Sequence, residues 1–104
     1  MRIIKELSRD IRENITEARH HIDKAYELKA SCRHAADWYK QMASAHLEFN
    51  TAGHTSIRKL IDDYNAKGEH SPLEAGMMAV YEEIHADLIK EAEEVRYLIE
   101  QYAR

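Results

Sequence analysis

Histidine and glutamate are the residue types in this 104-residue chain whose spacing could support metal chemistry. The chain contains seven His, and two Glu-x-x-His pairs occur, Glu17-Ala-Arg-His20 and Glu82-Glu-Ile-His85. Residues three positions apart project from the same side of a helix, so a carboxylate oxygen and an imidazole nitrogen can reach one ion. The pairs are therefore candidate metal ligands on two helices.

The two pairs, set in a helical pattern, resemble the ferritin-like bundles, whose helical carboxylates and histidines bind metal ions between helices. The resemblance covers these two tetrapeptides and the helical pattern only. It implies iron or manganese as the cofactor, with zinc as a further candidate for the same ligands. The family has four helices with bridging glutamates, so a chain of three helices would need a second subunit to complete such a site.

Residues at the same level of neighbouring helices group the candidate ligands into two layers. The first predicted layer holds Glu17, His21, His46 and Glu91, and the second holds His54, Glu82 and His85. A shift of one helical turn in either connection would separate the members. The alternative for each is a structural role, as a hydrogen-bonded core residue or at the edge of a packed face. The remaining histidines His20, His34 and His70 are predicted on the surface.

Three amphipathic helices must position these residues, at about 3–30, 32–67 and 72–103. The clearest boundary is Ser71-Pro72-Leu73-Glu74, which combines a Ser N-cap, a Pro at the first helical position and a Glu three residues after the cap. Gly68 supplies a left-handed residue to end the preceding helix. The predicted fold is all-α, a single-domain antiparallel three-helix bundle of long helices, completed by self-association.

The boundary between the first two helices depends on weaker signals, because no Gly or Pro precedes Gly53. Ser31 could cap the second helix within the weakly apolar stretch 29–34. The alternative is one helix of about 50 residues, roughly 75 Å long. The third helix could not cover that length alone, so the alternative demands a dimer. We predict a break near Ser31.

Apolar residues recur at helical spacing and predict one inner row for each helix. The rows are Ile4, Leu7, Ile11, Ala18, Ala25 and Leu28; Cys32, Ala35, Tyr39, Met42, His46, Phe49, Gly53, Ile57, Leu60 and Tyr64; and Met77, Tyr81, Ile84, Leu88, Ala92, Val95, Ile99 and Tyr102. Polar Asn14, His21 and His46 fall in these rows and are predicted to set the helix register. Gly53 predicts a close approach of two backbones.

Two aromatic residues of the second helix are candidates for a subunit interface. Trp38 and Tyr39 cannot both face one core, because adjacent helical residues differ by about 100° in direction. Tyr39 belongs to the inner row, so Trp38 is predicted to anchor an interface, with packing at the core edge as the alternative. Phe49 is assigned to the same interface, although its spacing also suits core filling, as does that of Met77.

Composition and charge narrow the classes of partner. The net charge is −4 at pH 7, which disfavours a phosphate-binding face, so no nucleic-acid partner is expected. No apolar run approaches the roughly 20 residues of a membrane span, and charges near the start disfavour a secretion signal. Cys32 is the single cysteine and is predicted to be a buried structural thiol. We expect a cytoplasmic protein without a membrane partner.

No catalytic motif is recognised, so no catalytic residue is assigned and the prediction leans away from an enzyme. Cys32, Arg33 and His34 point to different helix faces and do not form a nucleophile with its base. The predicted function is a non-enzymatic helical bundle that acts through self-association or protein–protein interaction, as a homo-oligomer or with a protein partner. The alternative is the ferritin-like metal-binding bundle.

Overall fold

The computed structural model describes residues 2–103, which form three long helices joined by two short connections. Helix α1 spans Arg2–Leu28, α2 spans Arg33–Ala66 and α3 spans Pro72–Tyr102. No strand occurs among these described residues, so the prediction of an all-α fold is confirmed. Each helix begins and ends within two residues of its predicted bounds.

The break between α1 and α2 lies close to Ser31, as predicted. The backbone N–H of Cys32 donates to the carbonyl oxygen of Leu28 over 2.8 Å and closes the turn. Ser31 does not cap α2, contrary to the prediction; the N-cap residue is Cys32, and its side chain makes no capping hydrogen bond. The prediction of a buried thiol is also wrong, because Cys32 precedes the packed face of α2 and is exposed.

The C-terminal end of α3 holds both sides of this turn. Lys29 Nζ, which follows α1, donates to the carbonyl oxygen of Tyr102 over 2.6 Å. The phenol of Tyr102 donates to Asp37 Oδ1, in the second turn of α2, over 2.9 Å. Two hydrogen bonds therefore hold this turn to α3, one from each side of the turn. The local sequence around the turn does not predict either of these long-range bonds.

The connection between α2 and α3 follows the predicted capping chemistry. Gly68 has φ = +92°, a left-handed conformation that glycine adopts without steric cost. Ser71 Oγ accepts a hydrogen bond from the backbone N–H of Glu74 over 3.2 Å, which satisfies a free N–H group in the first turn of α3. Pro72 occupies the first helical position, where no N–H is required.

Helices α1 and α2 pack together along most of their length, and α3 contacts both. Asn14 meets His46, and Ile11 lies against Gly53, so residue numbers rise along α1 as they fall along the facing part of α2. A Cβ atom at position 53 would lie 2.9 Å from Cγ1 of Ile11, as the predicted close approach requires. The helices form a rod of 58 × 20 × 17 Å.

The core consists mostly of isoleucine and alanine side chains from the three inner faces. Its buried members are Ile4, Ile11, Ile15, Ala18, Ile22, Ala25, Ala36, Ala43, Leu47, Ile57, Ile61, Met78, Leu88, Ala92, Val95 and Tyr102. Ala18 and Ala25 of α1 and Ala36 and Ala43 of α2 are fully buried. Side chains this short let helix backbones approach closely, since the interaxial distance depends on the side chains at the contact.

The buried face of α2 is displaced by one residue from the predicted row through its first half. Met42, predicted in the inner row, is half-buried, whereas its neighbour Ala43 is fully buried. Leu47 and Asn50 are buried, whereas Phe49 is 75% exposed. Helix α2 contacts α1 and α3 on different sides, so its most buried residues lie between the two contact directions. Phe49 points away from both neighbours, and its prediction as core filling is wrong.

The buried face of α3 is displaced by one residue in its first half. Met78 and His85 are buried, whereas Met77, predicted as a core residue, is 40% exposed. The first half of α3 packs against α2 through the contact of His85 with His54. The last turns contact α1 as well, where the Tyr26 phenol donates to the carbonyl oxygen of Leu98 over 2.7 Å, so a single straight row does not describe the buried face.

Candidate functional site

The first histidine pair joins α1 to α2 and consists of His21 and His46. Their ring centroids are 5.1 Å apart and the ring planes meet at 26°, so the rings stack. His46 Nδ1 lies 2.7 Å from Asn14 Oδ1; because a carboxamide oxygen only accepts, His46 Nδ1 carries the proton and donates it. Glu17 Oε2 lies 4.0 Å from His21 Nε2. Three of the four residues in the first predicted layer thus lie together.

Glu91, the fourth residue of that layer, lies elsewhere on the surface. It is exposed and lines a groove between α1 and α3 together with Ile15, Thr16 and His20. Neither His21 nor His46 lines this groove. His20 is exposed, as predicted, and so is His34.

The second histidine pair joins α2 to α3 and consists of His54 and His85. The ring centroids are 5.4 Å apart and the planes meet at 62°. His85 is only 5% exposed, and His54 is half-buried. The amide nitrogen of Asn50 lies 3.0 Å from His54 Nε2. Within residues 2–103, the Nδ1 atoms of both histidines and the Asn50 Oδ1 atom are buried without a hydrogen-bond partner.

Glu82, the carboxylate predicted for this second layer, bonds instead to Arg58 and Asn65. Its Oε1 atom accepts from Arg58 Nη2 over 3.3 Å and from Asn65 Nδ2 over 3.4 Å. Arg58 also donates to Asp62 Oδ1 over 2.7 Å. The Glu82 carboxylate therefore belongs to an exposed ion-pair network, a kind of contact that contributes little to stability.

Burial holds the pKa of both histidines in the second pair below its ordinary value. For His54 the largest cause is loss of hydration, followed by the charges of His85 and Arg96. For His85 the largest cause is again loss of hydration, followed by the charge of Arg58. A buried imidazolium without an anionic partner is costly. Both rings are therefore neutral at pH 7.

Among residues 2–103, no group of three or more His, Cys, Asp or Glu side chains has an arrangement suited to a metal ion. Of the predicted layers, Glu17, His21 and His46 lie together and so do His54 and His85, whereas Glu91 lies elsewhere and Glu82 bonds to Arg58 and Asn65. Binding of iron, manganese or zinc stays a prediction, as does the resemblance to ferritin-like bundles.

The outward face of α2 carries a second apolar row, which we name the outer stripe: Trp38, Met42, Ala45 and Phe49. Trp38 is 53% exposed and Phe49 is 75% exposed, while Met42 and Ala45 are half-buried. Spacings of four, three and four residues place all four on one helix face. The Trp38 ring packs edge-on against Tyr39 with centroids 5.0 Å apart, which restricts its orientation.

A cluster at the connection between α2 and α3 was not predicted. His70, predicted as a surface residue, is half-buried and stacks on the ring of Tyr64 with centroids 3.8 Å apart. The Tyr64 phenol donates to Glu74 Oε2 over 2.6 Å; loss of hydration and this bond raise the pKa of Tyr64 to about 12. These residues lie on both sides of the connection and come together only when it folds back, so their spacing in the sequence does not predict the cluster.

Within residues 2–103 we find no helix that combines the length and the apolar character of a membrane span. Comparison with known proteins returns no matching family model, no similar curated protein and no similar solved structure. The function must therefore be argued from the geometry of the chain itself.

Proposed function

We propose that this chain acts by self-association, as an antiparallel three-helix bundle that pairs with a second copy through the outer stripe of α2. The observation that carries the proposal is the exposure of Trp38 and Phe49 on one helix face, at the spacing of a packed helical seam. Aromatic side chains of this size are the residues that most often anchor protein interfaces.

The spacing of the outer stripe suits a helix–helix contact. Apolar residues that alternate at intervals of three and four form the seam of coiled coils, where each side chain inserts between those of the facing helix. The buried residues of α2 already pack against α1 and α3, so the outer stripe gives this helix a second packing face. A helix that is apolar on two faces is typical of a buried position.

The order of large and small residues in the stripe is self-complementary. A twofold axis midway between Met42 and Ala45 would reverse the stripe onto itself. Trp38 of one copy would then face Phe49 of the other, and the long Met42 side chain would face the short Ala45 side chain. An interface that uses the same patch on both subunits is the usual arrangement in homodimers.

The area available sets the expected strength of the dimer. Helix α2 has 34 residues, which makes it about 51 Å long at 1.5 Å per residue. A twofold axis between Met42 and Ala45 overlaps only residues 33–54 of the two copies, about 33 Å of helix. A contact strip roughly 10 Å wide along this overlap would bury about 660 Å² over the two copies, below the range of stable specific interfaces. We therefore expect a dimer that dissociates on dilution.

Sedimentation velocity over a range of protein concentrations tests the proposal. The wild-type chain should shift from monomer to dimer with rising concentration. Trp38→Ala/Phe49→Ala should remain monomeric at every concentration while keeping its helical circular dichroism signal, because neither side chain belongs to the core. Ala45→Glu should have the same effect, since it places two carboxylates close together at the twofold axis.

Leu73→Ala is the matched control. Leu73 is 74% exposed, nearly as much as Phe49, but it lies at the start of α3 outside the outer stripe. This variant should dimerise like the wild type. A wild-type chain that stays monomeric throughout, or a dimer that persists in both outer-stripe variants, would overturn the proposal; a dimer lost only in Leu73→Ala would assign the interface to α3 instead.

A further inference from the structure

We infer that His54 and His85 together form a binding site for a transition-metal ion such as Zn²⁺, held between α2 and α3. The inference is independent of self-association through the outer stripe. It also differs from the predicted carboxylate-containing layer, since the two imidazoles alone supply the protein ligands. It rests on the free ring nitrogens, the spacing of the rings and their access to the surface.

Each of the two rings has one buried nitrogen atom without a hydrogen-bond partner in the described part of the chain. Nδ1 of His54 and Nδ1 of His85 are buried and have no hydrogen-bond partner among residues 2–103. A buried polar atom without a hydrogen-bond partner costs free energy. A metal ion bound by both nitrogens would satisfy both atoms at once.

The distance between the two rings suits a single metal ion bound by both of them. A Zn–N bond of about 2.0–2.1 Å, added to roughly 1.2 Å from a ring nitrogen to its centroid, places a bound ion about 3.2 Å from each centroid. With centroids 5.4 Å apart, the two directions from the ion meet at about 115°, close to the tetrahedral geometry that zinc prefers. The ring planes are tilted by 62°, so the rings do not stack face to face.

The His21–His46 pair provides the contrast within the same molecule. Its rings stack with only 26° between their planes, so their nitrogen lone pairs lie in two nearly parallel planes and do not converge on one ion. His46 Nδ1 is also occupied, because it donates to Asn14. The two histidine pairs have similar centroid distances but differ in ring orientation and in free nitrogens.

The surroundings of the two rings allow a cation to approach them. His54 and His85 line an open groove of about 630 Å³ between α2 and α3, so an ion can approach the two rings from solvent, while the two Nδ1 atoms are themselves buried. Two basic and two acidic side chains line the same groove, and the charge of Arg96 near His54 is matched by that of Glu82 beside Arg58, so no excess of positive charge repels a cation. Arg58, the basic residue that affects the pKa of His85, is itself paired with Asp62 and Glu82.

Asn50 is placed to orient the His54 ring. Ligation through Nδ1 requires the proton on Nε2, and that N–H needs an acceptor. The carboxamide of Asn50 lies 3.0 Å from His54 Nε2, and a half-turn of this amide presents its oxygen to that N–H. Two imidazoles without a carboxylate favour zinc, copper or nickel over manganese and magnesium.

Equilibrium dialysis with Zn²⁺, run on the untagged full chain, tests the site. We expect one Zn²⁺ per chain at saturation and a rise in melting temperature on binding. His54→Gln and His85→Gln should each weaken Zn²⁺ binding by about tenfold or more. His21→Gln and the exposed variant His34→Gln are the controls and should bind as the wild type does. Circular dichroism establishes that each variant keeps its helices.

His85 is buried, so His85→Gln could lose zinc binding simply because it does not fold. A measurement on the wild-type chain does not depend on the folding of that variant. Proton NMR during a Zn²⁺ titration should shift the ring signals of two of the seven histidines, with one of the two absent from His54→Gln. Wild-type affinity in His54→Gln, an equal loss in His21→Gln, or ring shifts spread over the exposed histidines would overturn the inference.

Discussion

Asn14 and His46 form two hydrogen bonds with each other across the interface of α1 and α2. His46 Nδ1–H donates to Asn14 Oδ1 over 2.7 Å, and Asn14 Nδ2 donates to the backbone carbonyl oxygen of His46 over 3.2 Å. Both bonds can form in only one register of the two helices. A shift by one turn would leave a half-buried amide and a half-buried imidazole without partners, as expected for polar residues in an apolar seam.

Replacing Asn14 with leucine should therefore lower the free energy of unfolding by about 1–3 kcal/mol, because His46 keeps a half-buried N–H without an acceptor. Urea denaturation followed by circular dichroism measures the change. Asn65→Leu is the control: Asn65 is exposed, and the change there should stay within about 0.5 kcal/mol.

The double variant Asn14→Leu/His46→Leu distinguishes the loss of a hydrogen bond from the cost of leaving one of its two partners buried without a bond. Replacing both partners by apolar side chains leaves nothing unpaired, so it should recover most of the stability lost in Asn14→Leu. If the double variant is as unstable as the sum of its two single variants, the two residues are not coupled and the register argument fails.

Gly53→Ala should lower the free energy of unfolding by about 1 kcal/mol, although alanine is the better helix former. The added Cβ would lie 2.9 Å from Cγ1 and 3.0 Å from Cδ1 of Ile11. Overpacking a core position costs typically 1–3 kcal/mol, which outweighs a propensity gain of about 1 kcal/mol. Thermal and urea denaturation of the single variant measure the balance.

Gly76 provides a matched control for this substitution, because it also lies within a helix but a Cβ there would meet no atom within 4 Å. Gly76→Ala should raise the free energy of unfolding by about 0.5–1 kcal/mol through helix propensity alone. Equal stabilisation in both variants would mean that Ile11 moves aside freely and that the close approach at Gly53 imposes no constraint.

Stability should fall as the pH is lowered below about 6.5, because the pKa values of His54 and His85 are both depressed from 6.5. Below about pH 6.5 the unfolded chain binds protons on these two histidines more readily than the folded chain does. The free energy of unfolding therefore rises with pH up to about 6.5 and levels off above it. The decline ends only once the pH is below the depressed values. Urea midpoints at constant ionic strength from pH 7.5 to 5 would follow this change.

His54→Gln should reduce this dependence on pH, whereas exposed His34→Gln should leave it unchanged. The carboxylates of Asp37 and Glu74 affect stability only in a lower range of pH. Hydrogen bonds from Tyr102 and Tyr64 lower their pKa values from 3.8 and 4.5, respectively. Their contributions are lost only as the pH falls below those ordinary values. Stability that is flat from pH 7.5 to 5 would show that the buried histidines impose no cost on protonation.

The connection between α2 and α3 could be predicted from sequence, and the start of α2 could not. Ser71 caps a helix through a bond to an N–H three residues away, so the signal and its effect lie in one short segment. Ser31 has the same chemistry but does not cap, in a turn that Lys29 and Asp37 tie to Tyr102. The residue that ties this turn lies about 70 positions away along the chain and leaves no local signal.

The candidate site shows the same division. Level-matching placed His21 beside His46 and His54 beside His85, because the rise per residue and the loop positions fix height along a helix. It did not predict that Glu91 lies on another side of α3 and that Glu82 bonds to Arg58 and Asn65, since height alone does not give the direction of a side chain around the helix axis. Asn50 was also missed, although it lies one turn from His54.

Sequence by itself determined the all-α fold, the three helices and their capping at Ser71, since these follow from periodicity and contacts within a few residues. Only the tertiary structure decided which face of each helix is buried. Helix α2 packs against two neighbours at once, so its core lies between two contact directions, and Phe49 is left on the outside. That direction depends on the placement of α1 and α3 around α2, which no single helical segment specifies.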